Sequence, residues 1–144
     1  MQKNIFILNE ANDVNPYKDR AHFDPVAVSN LDSLINDYYN LICVTCIENV
    51  DSQTAEKILY HIDTKLRPGG EALIVITDRR KLCQLFLDNA IDEPEFLQNI
   101  TSCKNEMSVD KIINTLQNFE VINIAKSNSK QTIHLGKTTY ANQM

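Results

Sequence analysis

Residues 51–78 read DSQTAEKILYHIDTKLRPGGEALIVITD and carry the clearest structural pattern of the chain. Apolar side chains recur at helical spacing from Ala55 to Leu66, which predicts a helix with one buried face and Asp51 or Ser52 as its N-cap. Proline and glycine at 67–70 predict a turn that ends this helix. Five consecutive apolar residues, 72–76, then predict a strand covered on both faces. This succession is typical of a parallel α/β protein.

The rest of the chain continues the alternation of strands and helices. Apolar runs predict strands at 4–8 and 41–47, shorter strands at 22–23 and 26–29, and a helical turn capped by Asp32 that reaches Ile35. Three helices are predicted after Asp78, one of them over 92–100 and the last capped by Ser108. Segments 119–125 and 131–137 predict an antiparallel hairpin. We therefore expect one domain over 1–144, with a mainly parallel sheet, helices on both faces and a closing hairpin.

Composition limits the classes of function. Hydrophobic residues make up 43% and charged residues 23% of the chain, as in ordinary globular proteins, and no apolar run has the length of a membrane span. The net charge of −5 argues against a dedicated nucleic-acid binder. The N-terminal apolar run is short and lacks a cleavage site, so we expect a cytoplasmic protein. Abundant Asn and Ile suggest an AT-rich genome such as that of a virus.

The cysteines form no recognisable redox or metal motif. All four are expected to be reduced thiols. Cys43 and Cys46 lie in a strand-like run, where period 2 places the two thiols on opposite faces, unlike a redox CxxC at a helix N-terminus. A second CxxC or an HxxxH pair is absent from the sequence, so no metal site is predicted.

Residues 60–78 resemble the helix, turn and strand that carry an rvLkPGG motif in class I S-adenosylmethionine-dependent methyltransferases. Upstream, residues 46–50 (CIENV) resemble the vLEHl motif of that family, with Asn49 in place of the usual His. Downstream, residues 108–137 resemble the helix and two strands that close the fold. The resemblance implies a reduced Rossmann-like methyltransferase fold, with S-adenosylmethionine over the carboxyl ends of the first strands.

The resemblance also implies candidate cofactor contacts, whereas no catalytic residue is assigned. Asn9 and Glu10 follow the first strand, where the family has a Gly-rich turn. Asp24 stands where an acidic residue binds ribose, Asn30 stands beside the adenine position, and Glu48 ends the strand before the predicted helix. Each of the last three has a simpler interpretation: a turn residue before proline, a surface Asn, and one of a polar pair before a helix.

The Gly-rich cofactor loop of the family is missing, since the first 68 residues contain no glycine. Glu10 also places a carboxylate where the cofactor's own carboxylate would lie. Two carboxylates near 4 Å repel by about 4 kcal/mol at an effective dielectric of about 20, which is about a thousandfold in affinity. We therefore expect a non-catalytic methyltransferase-like domain without a cofactor, acting in interaction or viral assembly with a protein partner or a second copy of itself.

Two alternatives remain open. The chain is a working methyltransferase with a divergent or partner-completed cofactor site, or it is a module that binds another nucleotide or small ligand at the same edge. A basic triplet, residues 79–81, either meets a phosphate or an acidic protein surface, or is a solvated helix start. His61 is expected at an exposed or boundary helix position.

Overall fold

The computed structural model describes residues 3–9 and 23–138. In this part of the chain six strands form one sheet in the order β2-β1-β3-β4-β6-β5. Strands β1 to β4 pair in parallel, and β6 runs antiparallel between β4 and β5. This confirms the predicted fold class. The strands are β1 (Asn4–Leu8), β2 (Asp24–Ala27), β3 (Tyr39–Val44), β4 (Leu66–Thr77), β5 (Phe119–Ser127) and β6 (Lys130–Lys137).

All four described α-helices begin at side-chain caps, and the cap was predicted for three of them. The four α-helices are α1 (Ser52–Lys65), α2 (Arg79–Leu87), α3 (Glu93–Thr101) and α4 (Val109–Thr115). Their N-caps, each accepting a backbone N–H of the first turn, are Asp51, Asp78, Asp92 and Ser108. An N-cap of this type stabilises a helix by about 1 kcal/mol. Local sequence therefore determines where these four helices start.

The region after β1 differs from its prediction. Strand Asp24–Ala27 lies where the second short strand, 26–29, was expected, and a 3₁₀ helix, Val28–Ser33, follows it directly. Asp32 consequently lies inside that helix instead of capping one. Strand β2 is the edge of the sheet and contains Pro25, which lacks a backbone N–H and is tolerated at an edge. The predicted strand at 22–23 lies partly outside the described residues.

The segment 67–70 is a bulge within β4 and not the turn that was predicted. Leu66 pairs with Tyr39 and Glu71 pairs with Leu41, so four residues of β4 stand opposite one of β3. Gly69 has φ of 84°, and a Cβ on Gly70 would lie 2.9 Å from the carbonyl oxygen of Arg67. Glycine is required at both positions, one for its backbone angle and one for close approach.

Two apolar clusters fill the two faces of the sheet. The larger cluster joins the strands to α1 and α4 through fully buried side chains such as Ile58, Leu59 and Ile112. Burial of a side chain of this size contributes about 1.5–3 kcal/mol. The smaller cluster contains Phe6, Leu8 and Cys43, with Phe23, Leu41 and Leu73 packed against it, and none of these lies on a helix.

Cys43 and Cys46 belong to different clusters, as the strand interpretation predicted, although β3 ends at Val44. Among the helices described, none is long and apolar enough to span a membrane.

Candidate functional site

The parallel strands place their carboxyl ends along one edge of the sheet. From β1 the chain continues to β2 on one side, and from β3 it continues to β4 on the other side. The boundary between β1 and β3 is therefore a topological switch point. In open α/β sheets, ligands bind in the crevice outside the carboxyl ends of the strands at such a point.

Polar residues follow the two strands on one side of this point. Asn9 comes directly after β1, and Ser29 and Asn30 lie in the 3₁₀ helix after β2; all three are exposed. Leu8 pairs with Ala27, so the two strand ends are level. We call these three residues the switch-point region. Sequence reasoning missed Ser29, although a polar pair after an apolar run is a usable signal. Glu10 lies outside the described residues, so its role stays a prediction.

Asp24 lies at the other end of its strand from the position it was expected to occupy. It is the first residue of β2 and pairs with Ile5, whereas the prediction placed it after a strand. Ala27 lies three residue steps farther along the extended chain, which corresponds to about 10 Å. This position does not support a contact between Asp24 and a ribose bound at the carboxyl ends of the strands.

Glu48 is buried and bound by neighbouring protein groups. Its side chain accepts a hydrogen bond from the backbone N–H of Thr77 through Oε1. Oε2 accepts from the Cys103 thiol at 3.6 Å and lies 3.6 Å from Nη2 of Arg79. We call Glu48, Thr77, Arg79 and Cys103 the Glu48 cluster. The cluster connects the segment after β3 to the end of β4. The carboxylate of Glu48 is therefore occupied by contacts that stabilise the protein, and it is not accessible to a ligand.

A second buried side chain reinforces the same segment. The Asn105 amide donates to the carbonyl oxygens of Ile47 at 2.7 Å and Val50 at 2.8 Å, and it accepts from the backbone N–H of Met107 at 2.9 Å. Arg79 also donates to the Asn105 carbonyl at 2.7 Å. Nothing in the local sequence marks Asn105, because the carbonyl groups to which its side chain donates lie more than 50 residues away along the chain.

The 3₁₀ helix of the switch-point region is held to α1 by charged groups. Asp32 lies 3.1 Å from Nζ of Lys57 and 3.0 Å from Nε2 of His61. The hydrogen bond and charge of Lys57 lower the pKa of Asp32. His61 is only 4% exposed, so the expectation of an exposed or boundary position is wrong. Burial lowers the pKa of His61, and Asp32 opposes this effect in part. The lowered pKa favours the neutral form of the imidazole.

In residues 3–9 and 23–138, no group of three His, Cys, Asp or Glu side chains is arranged to hold a metal ion.

The sequence matches no family model and no curated protein. The structure resembles S-adenosylmethionine-dependent methyltransferases from Mesorhizobium loti (TM-score 0.60, 10% identity), Archaeoglobus fulgidus (0.59, 10%) and Methanosarcina mazei (0.57, 12%). The alignments cover 94%, 92% and 96% of this chain, and 81%, 75% and 95% of those chains. Other matched chains are covered over only 53% and 36% of their length. The chain thus has a methyltransferase-like fold.

Proposed function

We propose that this chain binds S-adenosylmethionine at the switch-point region and acts as a methyltransferase whose cofactor site is divergent or completed by a partner. The observation that carries the proposal is the switch point between β1 and β3, in a fold shared with S-adenosylmethionine-dependent methyltransferases. The fold alone does not decide function, so the proposal also needs polar residues at the carboxyl ends of the strands that can contact the cofactor.

The residues present fit part of the cofactor. Asn9, Ser29 and Asn30 offer donors and acceptors that suit ribose hydroxyls and purine nitrogens. A glycine cradle for the methionyl part is missing from the first 68 residues, which is why the site is described as divergent. When bound, the cofactor supplies an activated methyl group on its sulfonium, and the protein needs mainly to position the acceptor.

A non-catalytic interaction domain is the second candidate, and the missing glycines favour it. The likeness to methyltransferase structures supports the enzyme better than this alternative. The expected protein partner, the cytoplasmic location and a role in viral assembly stay predictions.

Thermal unfolding with and without about 1 mM S-adenosylmethionine, followed by calorimetric titration, tests the proposal. A ligand at about 100 times its dissociation constant stabilises by about 2.7 kcal/mol. For a chain of this size we expect the melting temperature to rise by about 5 °C or more. S-adenosylhomocysteine should give a similar shift, because it shares the adenosine and the amino-acid part and lacks only the methyl group and its sulfonium charge.

Two variants locate the site. Asn30→Ala removes about one hydrogen bond and should weaken cofactor binding about fivefold. Asp24→Asn is the matched control at the opposite edge and should leave the affinity unchanged. If the wild-type chain shows neither a thermal shift nor heat of binding with either compound, the proposal of a divergent cofactor site within this chain fails, and the non-catalytic candidate is preferred.

A further inference from the structure

A cavity outside the two regions described above lies between the start of α2 and the tip of the β5–β6 hairpin. Its volume is about 390 Å³. We call it the hairpin pocket; its lining residues are Asp78, Arg80, Lys81, Gln84, Lys126 and Asn128. The basic triplet of the sequence is thus divided, since Arg79 belongs to the Glu48 cluster and the next two residues belong to this pocket.

The pocket is positively charged in a protein whose net charge is −5. Three cations, Arg80, Lys81 and Lys126, line it together with one anion, Asp78. Asp78 lies 3.9 Å from Nζ of Lys126, and its Oδ1 accepts the backbone N–H of Lys81 at 3.2 Å as the helix cap. The side chains of Arg80 and Lys81 have no ion pair with any described residue.

Clustered cations of this kind attract an anion that can contact several of them at once. Arg has a planar donor fork that matches phosphate, and Lys adds a point charge. The N-terminus of α2 contributes a further partial positive charge. The three cations outnumber the single carboxylate of Asp78, so the lining has a net positive charge that attracts a phosphate group with its about two negative charges.

The pocket lies at the same ends of the parallel strands as the proposed cofactor site. It opens beside the carboxyl end of β4, and one strand, β3, separates β4 from β1. With neighbouring strands about 4.8 Å apart, β4 lies about 10 Å from β1, and β5, which carries Lys126, lies about 19 Å from β1. A molecule anchored in the pocket would have to span about 10 to 20 Å to place its other end at the switch-point region.

We propose that the hairpin pocket binds the phosphate group of a small phosphorylated molecule, and that this molecule is the methyl acceptor. The assignment as an acceptor rests on the proposed function, whereas phosphate binding does not. Lys126 comes from the hairpin, and Arg80 and Lys81 come from α2, so the pocket exists only where these two elements meet.

Calorimetric titration of the full chain with inorganic pyrophosphate at low salt tests the pocket. We expect saturable binding that weakens as sodium chloride is raised, because screening reduces the attraction between exposed charges. Arg80→Gln and Lys126→Gln should each weaken binding about fivefold. Asp78→Asn should tighten it by a similar factor, since Asn retains the N-cap function while the opposing charge is lost.

Lys111→Gln is the matched control, because this lysine lies on α4, outside the pocket. It should bind pyrophosphate like the wild type. No saturable binding at low salt, or equal weakening by Lys111→Gln and Arg80→Gln, overturns the inference.

A parallel titration separates the two proposals. Pyrophosphate should bind equally well when the chain is saturated with S-adenosylmethionine, and displacement of one by the other would overturn the assignment of separate sites. If the cofactor binds and pyrophosphate does not, the inference of an anion site in the hairpin pocket is overturned, whereas the proposed function is still supported. Pyrophosphate binding without cofactor binding overturns the proposed function and the acceptor assignment, and it leaves an anion site.

Discussion

The Glu48 cluster and the switch-point region lie on the same edge of one sheet but use their polar side chains in opposite ways. In the cluster, a buried carboxylate is bound by the Thr77 amide, the Cys103 thiol and the Arg79 guanidinium. In the switch-point region, Asn9, Ser29 and Asn30 are exposed. The first arrangement stabilises the end of two strands, whereas the second leaves hydrogen-bonding groups accessible to a ligand.

The comparison teaches that a position at the carboxyl edge does not by itself make a residue part of a binding site. Glu48 satisfies the positional expectation, yet its carboxylate is 4% exposed and bound by protein groups. A buried polar group contributes to stability through the bonds that it satisfies, and its loss leaves the partners unsatisfied. The two regions should therefore respond differently to substitution.

The largest effect is expected at Glu48. Glu48→Ala should lower the free energy of unfolding by about 3 kcal/mol, because it leaves the buried Thr77 N–H without an acceptor and removes the carboxylate that faces Arg79. Glu48→Gln keeps an acceptor and should cost only about 1 kcal/mol. Urea unfolding measures both. Glu106→Gln, at an exposed position, is the control and should stay within about 0.5 kcal/mol of the wild type. A harmless Glu48→Ala would show that the cluster is not structural.

An intermediate effect is expected from pH, through the contact that anchors the switch-point region to α1. The pKa of buried His61 lies below its ordinary value of 6.5, so the unfolded chain binds more protons than the folded chain below that pH. This contribution to stability should be fully present above the unfolded-state pKa of about 6.5, and it should fall as the pH is lowered from there through the lower pKa of the folded state. Denaturant unfolding at several pH values measures this dependence.

The variant His61→Gln retains a donor for Asp32 but does not titrate in this range, so its stability should vary less with pH. His134→Gln, which changes the half-buried histidine near Glu71, is the control and should retain the wild-type dependence. Identical pH profiles for the wild type and His61→Gln would exclude His61 as the cause.

The smallest effect on stability is expected in the switch-point region. Asn9→Ala and Asn30→Ala should each change the free energy of unfolding by less than about 0.5 kcal/mol, because both side chains are exposed. Their effect should instead be seen in the thermal shift produced by S-adenosylmethionine. A loss of 2 kcal/mol in either variant would show that this region is as structural as the Glu48 cluster, and the contrast between the two regions would disappear.

Local pattern predicted most of the fold and little of the site. Helix α1 and its cap at Asp51 follow from spacing and from one side chain that reaches three residues ahead. Segment 67–70 was less predictable, since proline and glycine indicate a turn, while pairing on either side of it makes it a bulge in β4. The position of Asp24 could not be predicted from local sequence either, because its place at the start of β2 depends on the register with β1.

By itself, the sequence determined the succession of strands and helices, the helix caps and the absence of a glycine loop before residue 69, because these depend on residues a few positions apart. Only the tertiary structure decided which polar residues meet at the carboxyl edge. In the folded chain Glu48 accepts hydrogen bonds from Thr77 and Cys103, and Lys126 and Arg80 line the same pocket. Such contacts join segments that are distant in sequence, and they follow from strand order and register once the chain has folded.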